Sequence, residues 1–153
     1  MTKPDTIPHP SLARPHDAAT LVLVRRDGPS PRILMGKRHE SHKFMPGKFV
    51  FPGGRVDPGD CRLKLQSCLD ETVCQKLQMR MKGKPSVARA HGIALAAVRE
   101  TFEEVGFLIG KKGSPSRTKN VAWQQFFSTG YVPDISGLRY LARAITPPGR
   151  PRR

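Results

Sequence analysis

Long apolar stretches are missing from this sequence. No apolar run exceeds the segment from Ile93 to Val98, whereas a membrane-spanning helix needs about 20 such residues. The N-terminal stretch is polar and rich in proline, without the apolar centre of a secretory signal. We therefore expect no membrane partner and a cytoplasmic location.

Cysteine and aromatic residues are also scarce. The three cysteines, Cys61, Cys68 and Cys74, are an odd number and form no C-x-x-C pair. Their spacing fits neither a zinc site nor a disulfide framework, so we expect reduced thiols. Aromatic residues make up only 7% of the chain, and no recognisable nucleic-acid-binding motif accompanies them.

Acidic residues are few compared with basic ones. The chain has 12 Asp and Glu against 27 Lys and Arg, which gives a formal net charge of +15. Such a field attracts phosphate groups, whether these belong to a nucleic acid or to a small diphosphate ester. The basic residues are dispersed, with modest clusters at 111–119 and 150–153. Charge alone does not choose between the two kinds of ligand.

The length of 153 residues suits one domain with one core. Proline-rich residues 1–17 predict a flexible tail, and residues 147–153 a basic tail rich in proline and arginine, which leaves 18–146 for the folded domain. Short apolar runs predict strands at 20–25, 32–37 and 48–51, the last one broken by Pro52, Gly53 and Gly54. A final strand is predicted at 138–146.

Helical periodicity dominates the middle of the chain. Apolar residues recur every four positions from Leu65 to Leu77 and predict a helix over 60–82. A second helix is predicted over 87–105, with Gly106 to terminate it. A polar loop at 110–120 and a short helix at 121–127 follow. Strands first, then a long central helix and another strand, favour an α+β (mixed α/β) fold.

Three of the five glutamates in the chain lie close together, as Glu100, Glu103 and Glu104. On a helix they fall within an arc of about 100°. The roughly opposite arc is apolar and holds Leu95, Val98, Phe102 and Val105. Crowded carboxylates repel each other, and a hard divalent cation such as Mg²⁺ or Mn²⁺ relieves the repulsion. The alternative is a solvated acidic face partly balanced by Arg99.

The residues around these glutamates match a known pattern. Residues 99–107, Arg-Glu-Thr-Phe-Glu-Glu-Val-Gly-Phe, resemble the second half of the Nudix box, R-E-hydrophobic-x-E-E-x-G-hydrophobic, with Thr101 where an aliphatic residue is usual. Residues 54–60, Gly-Arg-Val-Asp-Pro-Gly-Asp, resemble the first half, G-x₅-E, with Asp60 in place of glutamate. The two halves lie much farther apart than in most of the family. The box is therefore split by an insert at about 61–90, and a Nudix-like mixed sheet with an additional inserted helix is expected.

A split box of this kind resembles the branch of acyl-coenzyme A diphosphatases. The signature of that branch is approximately L-L-T-x-R-S/A-x₃-R-x₃-G-x₃-F-P-G-G. Residues 34–54 keep its spacing, with Gly36, His39 and Lys43 as departures. The resemblance implies metal-dependent hydrolysis of a diphosphate linkage in a small molecule, with coenzyme A or its acyl esters favoured.

The resemblance also assigns roles to individual residues. Glu100, Glu103 and Glu104 would bind Mg²⁺ or Mn²⁺, one of them would activate water, and Arg99 would orient them. The implied catalytic residues are therefore Glu103, Glu104 and Arg99. Asp60 is a candidate only, because its carboxylate is shorter and the insert separates it from the helix.

Substrate binding is assigned to a second set of residues. Arg38 and Lys43 could offer cations to phosphate oxygens. Gly53 and Gly54 permit a tight turn and a close approach of backbone to phosphate.

Other functions remain open at this point. The enzyme could act on nucleoside diphosphate derivatives, or the positive charge could serve RNA binding or decapping. Nudix domains usually continue beyond the final strand predicted here, so a truncated, inactive remnant is a further expectation. An uncovered strand edge would favour association into a homodimer.

Overall fold

The computed structural model describes residues 16–41 and 46–145. The strands in these two ranges are short: β1 (Ala18–Thr20), β2 (Val24–Arg25), β3 (Arg32–Ile33), β4 (Gly36–Lys37), β5 (Phe49–Val50), β6 (Gly53–Arg55), β7 (Gly110–Lys112) and β8 (Tyr131–Pro133). The helices among the described residues are α1 (Pro58–Arg62), α2 (Glu71–Gln78), α3 (Val87–Val105) and α4 (Val121–Ser128). Nearly all of the predicted N-terminal tail, and the whole of the C-terminal one, lie outside the described residues.

The predicted α+β class is confirmed, but the strands are arranged differently from the expected mixed sheet. Within the described part of the chain they form four antiparallel pairs, β1–β6, β2–β3, β4–β5 and β7–β8. Two of the strands that were predicted as single runs, 20–25 and 32–37, are divided where the chain changes partner. The run at 20–25 pairs first with β6 and then with β3, and the run at 32–37 pairs with β2 and then with β5.

The strand predicted at 48–51 ends before Pro52, as predicted, but residues 53–55 form a further strand with a different partner. Pro52 lacks an N–H group for a strand ladder, but its carbonyl accepts a hydrogen bond from the Leu21 N–H at 2.9 Å. Pairing resumes at once in β6, where Gly53 lies opposite Thr20 and Gly54 opposite Ala19. This strand runs beside α3 and brings its backbone to the glutamates.

The single helix predicted over 60–82 is wrong, because two capping aspartates start two separate helices. Asp57 caps α1, and its N–H bonds in turn to the Asp60 carboxylate in a capping box. Asp70 caps α2 and accepts the N–H groups of Thr72 and Val73. The loop between the two helices still packs Leu63 and Leu65 against the core. The regular spacing of apolar residues therefore reflects the burial of their side chains and not one continuous helix.

The helix predicted over 87–105 is confirmed as α3, and α4 lies where the short helix was predicted. The Ser86 hydroxyl accepts the Arg89 N–H at the start of α3. At its end Gly106 adopts a left-handed φ of 70° and donates its N–H to the Phe102 carbonyl.

The strand predicted at 138–146 is wrong for its described part, 138–145, which has no regular structure. The guanidinium of Arg143 instead donates to the carbonyls of Leu77 and Met79 at the end of α2. These carbonyls have no partner within the helix, so the segment acts as its cap. The strand that does form is β8, and its partner β7 lies in the segment predicted to be a loop.

The main core lies between α2, α3, α4 and the loops that join them. Its buried residues are Leu69, Val73, Cys74, Ala90, Ala94, Leu95, Val98, Trp123, Phe126 and Ile135. The insert therefore forms part of the core and is not a surface appendage. The cysteines are free, and no described helix has the length and apolarity to cross a membrane.

Candidate functional site

Arg99 lies at the centre of the site, on the face of α3 that meets β6 and α1. Its side chain is 7% exposed, and each of its five N–H groups has an acceptor. Nε and Nη2 donate to the two carboxylate oxygens of Asp60, at 3.0 and 3.1 Å. Nη2 also donates to the Arg55 carbonyl at 2.9 Å. Nη1 donates to Glu100 at 2.9 Å and to Glu103 at 2.6 Å. Arg99 thereby fixes two glutamates relative to α1 and β6.

Asp60 is the buried partner of Arg99 and does not belong to the open glutamate face. It is 1% exposed, and each of its oxygens accepts two hydrogen bonds. Oδ1 accepts from Arg99 and from the indole Nε1 of Trp123 at 2.8 Å. Oδ2 accepts from Arg99 and from the Asp57 N–H at 2.8 Å. The structure thus places this candidate residue as a support for Arg99.

Burial and charge act on the ionisable groups in opposite directions. Burial tends to lower the pKa of Arg99, but the hydrogen bonds and charge of Asp60, together with Glu100 and Glu103, outweigh it and raise the pKa. Burial raises the pKa of Glu100 above its ordinary value. Arg99 opposes that increase in the pKa of Glu100, whereas the like charges of Glu103 and Glu104 add to it.

The three predicted metal ligands do share one side of α3. Glu100 is half-buried, and Glu103 and Glu104 are exposed. Their carboxylates point to different partners, since Glu100 and Glu103 bond to Arg99 while Glu104 accepts the Gly53 N–H at 3.0 Å. Among residues 16–41 and 46–145, no group of three or more His, Cys, Asp or Glu side chains is arranged as a metal site. The donor set nevertheless fits a hard divalent cation by its chemistry, because carboxylate oxygens are the ligands such ions prefer.

Gly53 and Gly54 line this side of α3. A Cβ on Gly53 would lie 2.3 Å from the Ala19 carbonyl oxygen of the neighbouring strand. A Cβ on Gly54 would lie 2.4 Å from the carboxyl carbon of Glu100. The absence of side chains therefore lets β6 approach both β1 and the glutamates.

The other predicted substrate residues, Arg38 and Lys43, precede Gly53 and Gly54 in the chain. Arg38 follows β4 and is half-buried; its N–H donates to the Lys48 carbonyl and its carbonyl accepts from Gly47. Lys43 lies outside the described residues.

The buried apolar face of α3 does not extend to the end of the helix, contrary to the prediction. Leu95 and Val98 are fully buried, whereas Val105 is 43% exposed. Thr101 is fully buried at the position where the Nudix pattern prefers an aliphatic residue. Its hydroxyl donates to the Ala97 carbonyl at 2.7 Å, so the polar group is satisfied within the helix.

Trp123 is the contributor that sequence reasoning missed. It is fully buried in α4 and bonds to Asp60 across 63 positions in sequence. It is the only tryptophan in the chain, and a buried indole N–H needs an acceptor. The presence of a single tryptophan was the only hint in the sequence that this residue has a special role, and it did not identify the acceptor of the indole N–H.

The fold, with the glutamate-bearing helix α3 beside the glycine strand β6, is similar to that of a known Nudix hydrolase. No family model matches the chain. A Caenorhabditis elegans protein named "Putative nudix hydrolase 7" is 35% identical over 103 residues, which are 67% of this chain and 25% of the relative. The crystal structure of a NUDIX hydrolase from Alicyclobacillus acidocaldarius superimposes with a TM-score of 0.67 at 26% identity. That match covers 92% of this chain and 66% of the other.

Both comparisons support placing this chain in the Nudix hydrolase family. The chain spans about a quarter of the length of the worm relative and about two thirds of the bacterial one.

Proposed function

We propose that this protein hydrolyses a diphosphate linkage in a small molecule with the help of a divalent metal ion. The observation that carries the proposal is the α3 face on which Glu100, Glu103 and Glu104 stand beside β6, with Arg99 holding two of them. A solvated acidic face would not need a buried arginine whose five N–H groups are all used.

The residues divide the chemical work among them. A bound Mg²⁺ or Mn²⁺ would lower the pKa of a water molecule and neutralise charge on the bridging phosphate oxygens. The three glutamates would hold the ion, and one of them would accept the proton of the attacking water. Glu103 and Glu104 each have a second carboxylate oxygen outside their bonds to Arg99 and to the Gly53 N–H, so both could hold the ion while keeping those bonds.

Coenzyme A and its acyl esters are the substrates we favour. The support is the spacing of Arg38, Lys43 and Gly47 ahead of Gly53 and Gly54, which follows the signature of that branch. Lysine at 43 replaces the two-pronged contact of arginine with a single charge, so a relaxed preference is expected. Nucleoside diphosphate derivatives are the second candidate, because the net charge of +15 favours any phosphate ester.

A substrate screen with matched variants tests the activity. Purified protein with Mg²⁺ or Mn²⁺ is incubated with coenzyme A, acyl-coenzyme A, NADH, nucleotide sugars, dinucleoside polyphosphates and capped RNA, and mass spectrometry identifies the products. Glu103→Gln should lower turnover by about two orders of magnitude or more, because it removes charge from the proposed metal site. Glu71→Gln is the control, since this exposed glutamate bonds within α2 to Gln75.

The outcomes separate the candidate functions. Equal activity of folded Glu103→Gln and Glu71→Gln would reject the site. Much faster cleavage of nucleoside diphosphate derivatives than of any coenzyme A ester would reject the favoured substrate. RNA affinity that falls steeply with salt, in a folded protein that cleaves none of the substrates, would favour the binding function instead.

A further inference from the structure

Trp123 connects α4 to the centre of the site through one polar contact. Its Nε1–H donates to Oδ1 of Asp60 at 2.8 Å, and the same oxygen accepts Nε of Arg99 at 3.0 Å. All three side chains are buried. The contact therefore adds a donor to a carboxylate that water does not reach.

The surroundings of Trp123 hold its ring in one orientation. Asn120 caps α4 and accepts the Trp123 backbone N–H at 3.1 Å. The indole packs edge-on against Phe126, with ring centroids 5.4 Å apart, and is stacked with Phe127 at 6.1 Å. The direction of the indole N–H is thus set by α4 and its aromatic neighbours.

We propose that Trp123 is a positioning residue for the glutamates of α3, acting through Asp60 and Arg99. Without the indole N–H, Oδ1 of Asp60 would keep one acceptor position unsatisfied in a buried setting, which favours rotation of the carboxylate. Because Arg99 is bonded to both oxygens of Asp60, its guanidinium would follow the rotation. Nη1 of Arg99 would then release Glu100 or Glu103 from its present place.

This inference rests on the proposed function, because the positions of the glutamates matter only if they bind a metal ion. Simple core packing is the alternative explanation for a buried tryptophan. Phe126 separates the two explanations, because it is equally buried, lies in the same aromatic cluster and has no polar atom to offer Asp60.

The test compares Trp123→Phe, which removes the N–H and keeps an aromatic ring, with Phe126→Leu as the packing control. The first measurement is hydrogen exchange of the Arg99 Nε–H by ¹⁵N NMR, with the resonance identified by its loss in Arg99→Lys. The second is Mn²⁺ affinity, from the electron paramagnetic resonance signal of free Mn²⁺. Removal of an outer-shell partner typically weakens metal binding by about 10- to 100-fold. We expect Trp123→Phe to lower Mn²⁺ affinity within that range and to speed exchange about tenfold or more, and Phe126→Leu to change both far less.

Equal exchange of Arg99 Nε–H in the two variants would overturn the proposal. Failure of the unmodified protein to bind Mn²⁺ would reject the proposed function, while the exchange comparison would still decide whether Trp123 holds Arg99.

If Trp123→Phe does not fold, the proposal is tested by an NMR measurement on the unmodified protein. Its single indole N–H resonance should shift as Mg²⁺ saturates the site, because Arg99 links the glutamates to Asp60. An indole resonance that stays unmoved under saturating Mg²⁺ would also overturn the proposal.

Discussion

Arg99 is the residue through which three parts of the chain meet, since it contacts α1 through Asp60, β6 through the Arg55 carbonyl and α3 through Glu100 and Glu103. A buried ion pair stabilises a fold little more than an apolar pair of the same shape would. Removal of one partner, however, leaves a buried charge with no opposite charge beside it, which is strongly destabilising. The loss of Arg99 should therefore damage the fold as well as the site.

Arg99→Met should lower the free energy of unfolding by about 3–5 kcal/mol, because Asp60 would stay buried without its cation. Urea denaturation followed by circular dichroism measures the change. Arg25→Met is the control, since the ion pair of Arg25 with Asp27 is exposed, and its unfolding midpoint should hardly move. Similar midpoints for both variants would show that Asp60 is not held by Arg99.

Two neighbouring glycines should respond differently to alanine. Gly53→Ala puts a methyl group against the backbone of Ala19 and Thr20, at 2.3 and 2.6 Å, so it should separate β1 from β6 and lower stability. Gly54→Ala meets the carboxylate end of the Glu100 side chain and no backbone atom, so the clash can be relieved by rotation of that side chain away from its bond to Arg99. We expect Gly54→Ala to keep its thermal midpoint but to lose activity. A stability loss as large as that of Gly53→Ala would contradict this distinction.

The pKa of Glu100 predicts a pH dependence. Because the folded state raises this pKa, it holds the proton more tightly than the unfolded state. The resulting stabilisation is present below the ordinary pKa of glutamate and is lost as the pH rises through the raised value. Glu100→Gln abolishes this titration, so its stability relative to the unmodified protein should increase across that interval. Urea titrations at a pH below and a pH above the interval give the two differences, and a constant difference would refute the expectation.

At the scale of elements, the stability of α3 depends on its capping residues, and that of α2 depends on its packing against α3. The Ser86 hydroxyl satisfies the Arg89 N–H, one of the four N–H groups that a helix start leaves without a partner. The insert supplies Leu69, Val73 and Cys74 to the core against α3. The helix that carries the second half of the box is therefore held in place by residues that the box pattern does not include.

Ser86→Ala should lower the free energy of unfolding by about 1 kcal/mol, because it removes the N-cap acceptor of α3. Thermal or urea unfolding measures the loss. Ser30→Ala, in an exposed loop, should leave the unfolding transition unchanged. An equal, negligible effect of both substitutions would mean that the cap contributes nothing to the stability of α3.

At the scale of the whole molecule, a strong positive charge coexists with an exposed apolar patch. What we call the patch is a set of exposed apolar residues: Val24 and Ile33, which lie opposite each other on β2 and β3, Leu34 and Met35 after β3, and Phe49 on β5. The net charge of +15 opposes contact between two copies. Salt weakens this repulsion without weakening apolar association.

Self-association should therefore increase with salt. Sedimentation velocity should show mostly monomer at about 0.01 M salt and larger species at about 1 M, where charges are screened within a few ångströms. Phe49→Lys should suppress the larger species. Val121→Lys is the matched control, because Val121 on α4 is 64% exposed and Phe49 is 65% exposed. Equal suppression by both substitutions, or association that decreases with salt, would contradict a role for the patch.

Local physical chemistry was enough to predict α3 and its acidic face. The periodicity of α3, its Ser86 cap and its terminal Gly106 are all encoded within neighbouring turns of one helix, so residues 87–105 were predicted with the observed bounds. The grouping of Glu100, Glu103 and Glu104 on one face follows from helix geometry alone. The α+β class needed only the order of the periodic segments.

Only the tertiary structure decided which strands pair and what supports the glutamates. Residues 20–25 and 32–37 change partner in mid-run, and the apolar pattern of a strand does not record such an exchange. Asp60 and Arg99 are 39 positions apart, and Asp60 and Trp123 are 63 apart. Their hydrogen bonds exist because α1, α3 and α4 pack around one core, and no local signal specifies a contact between residues so distant in the chain.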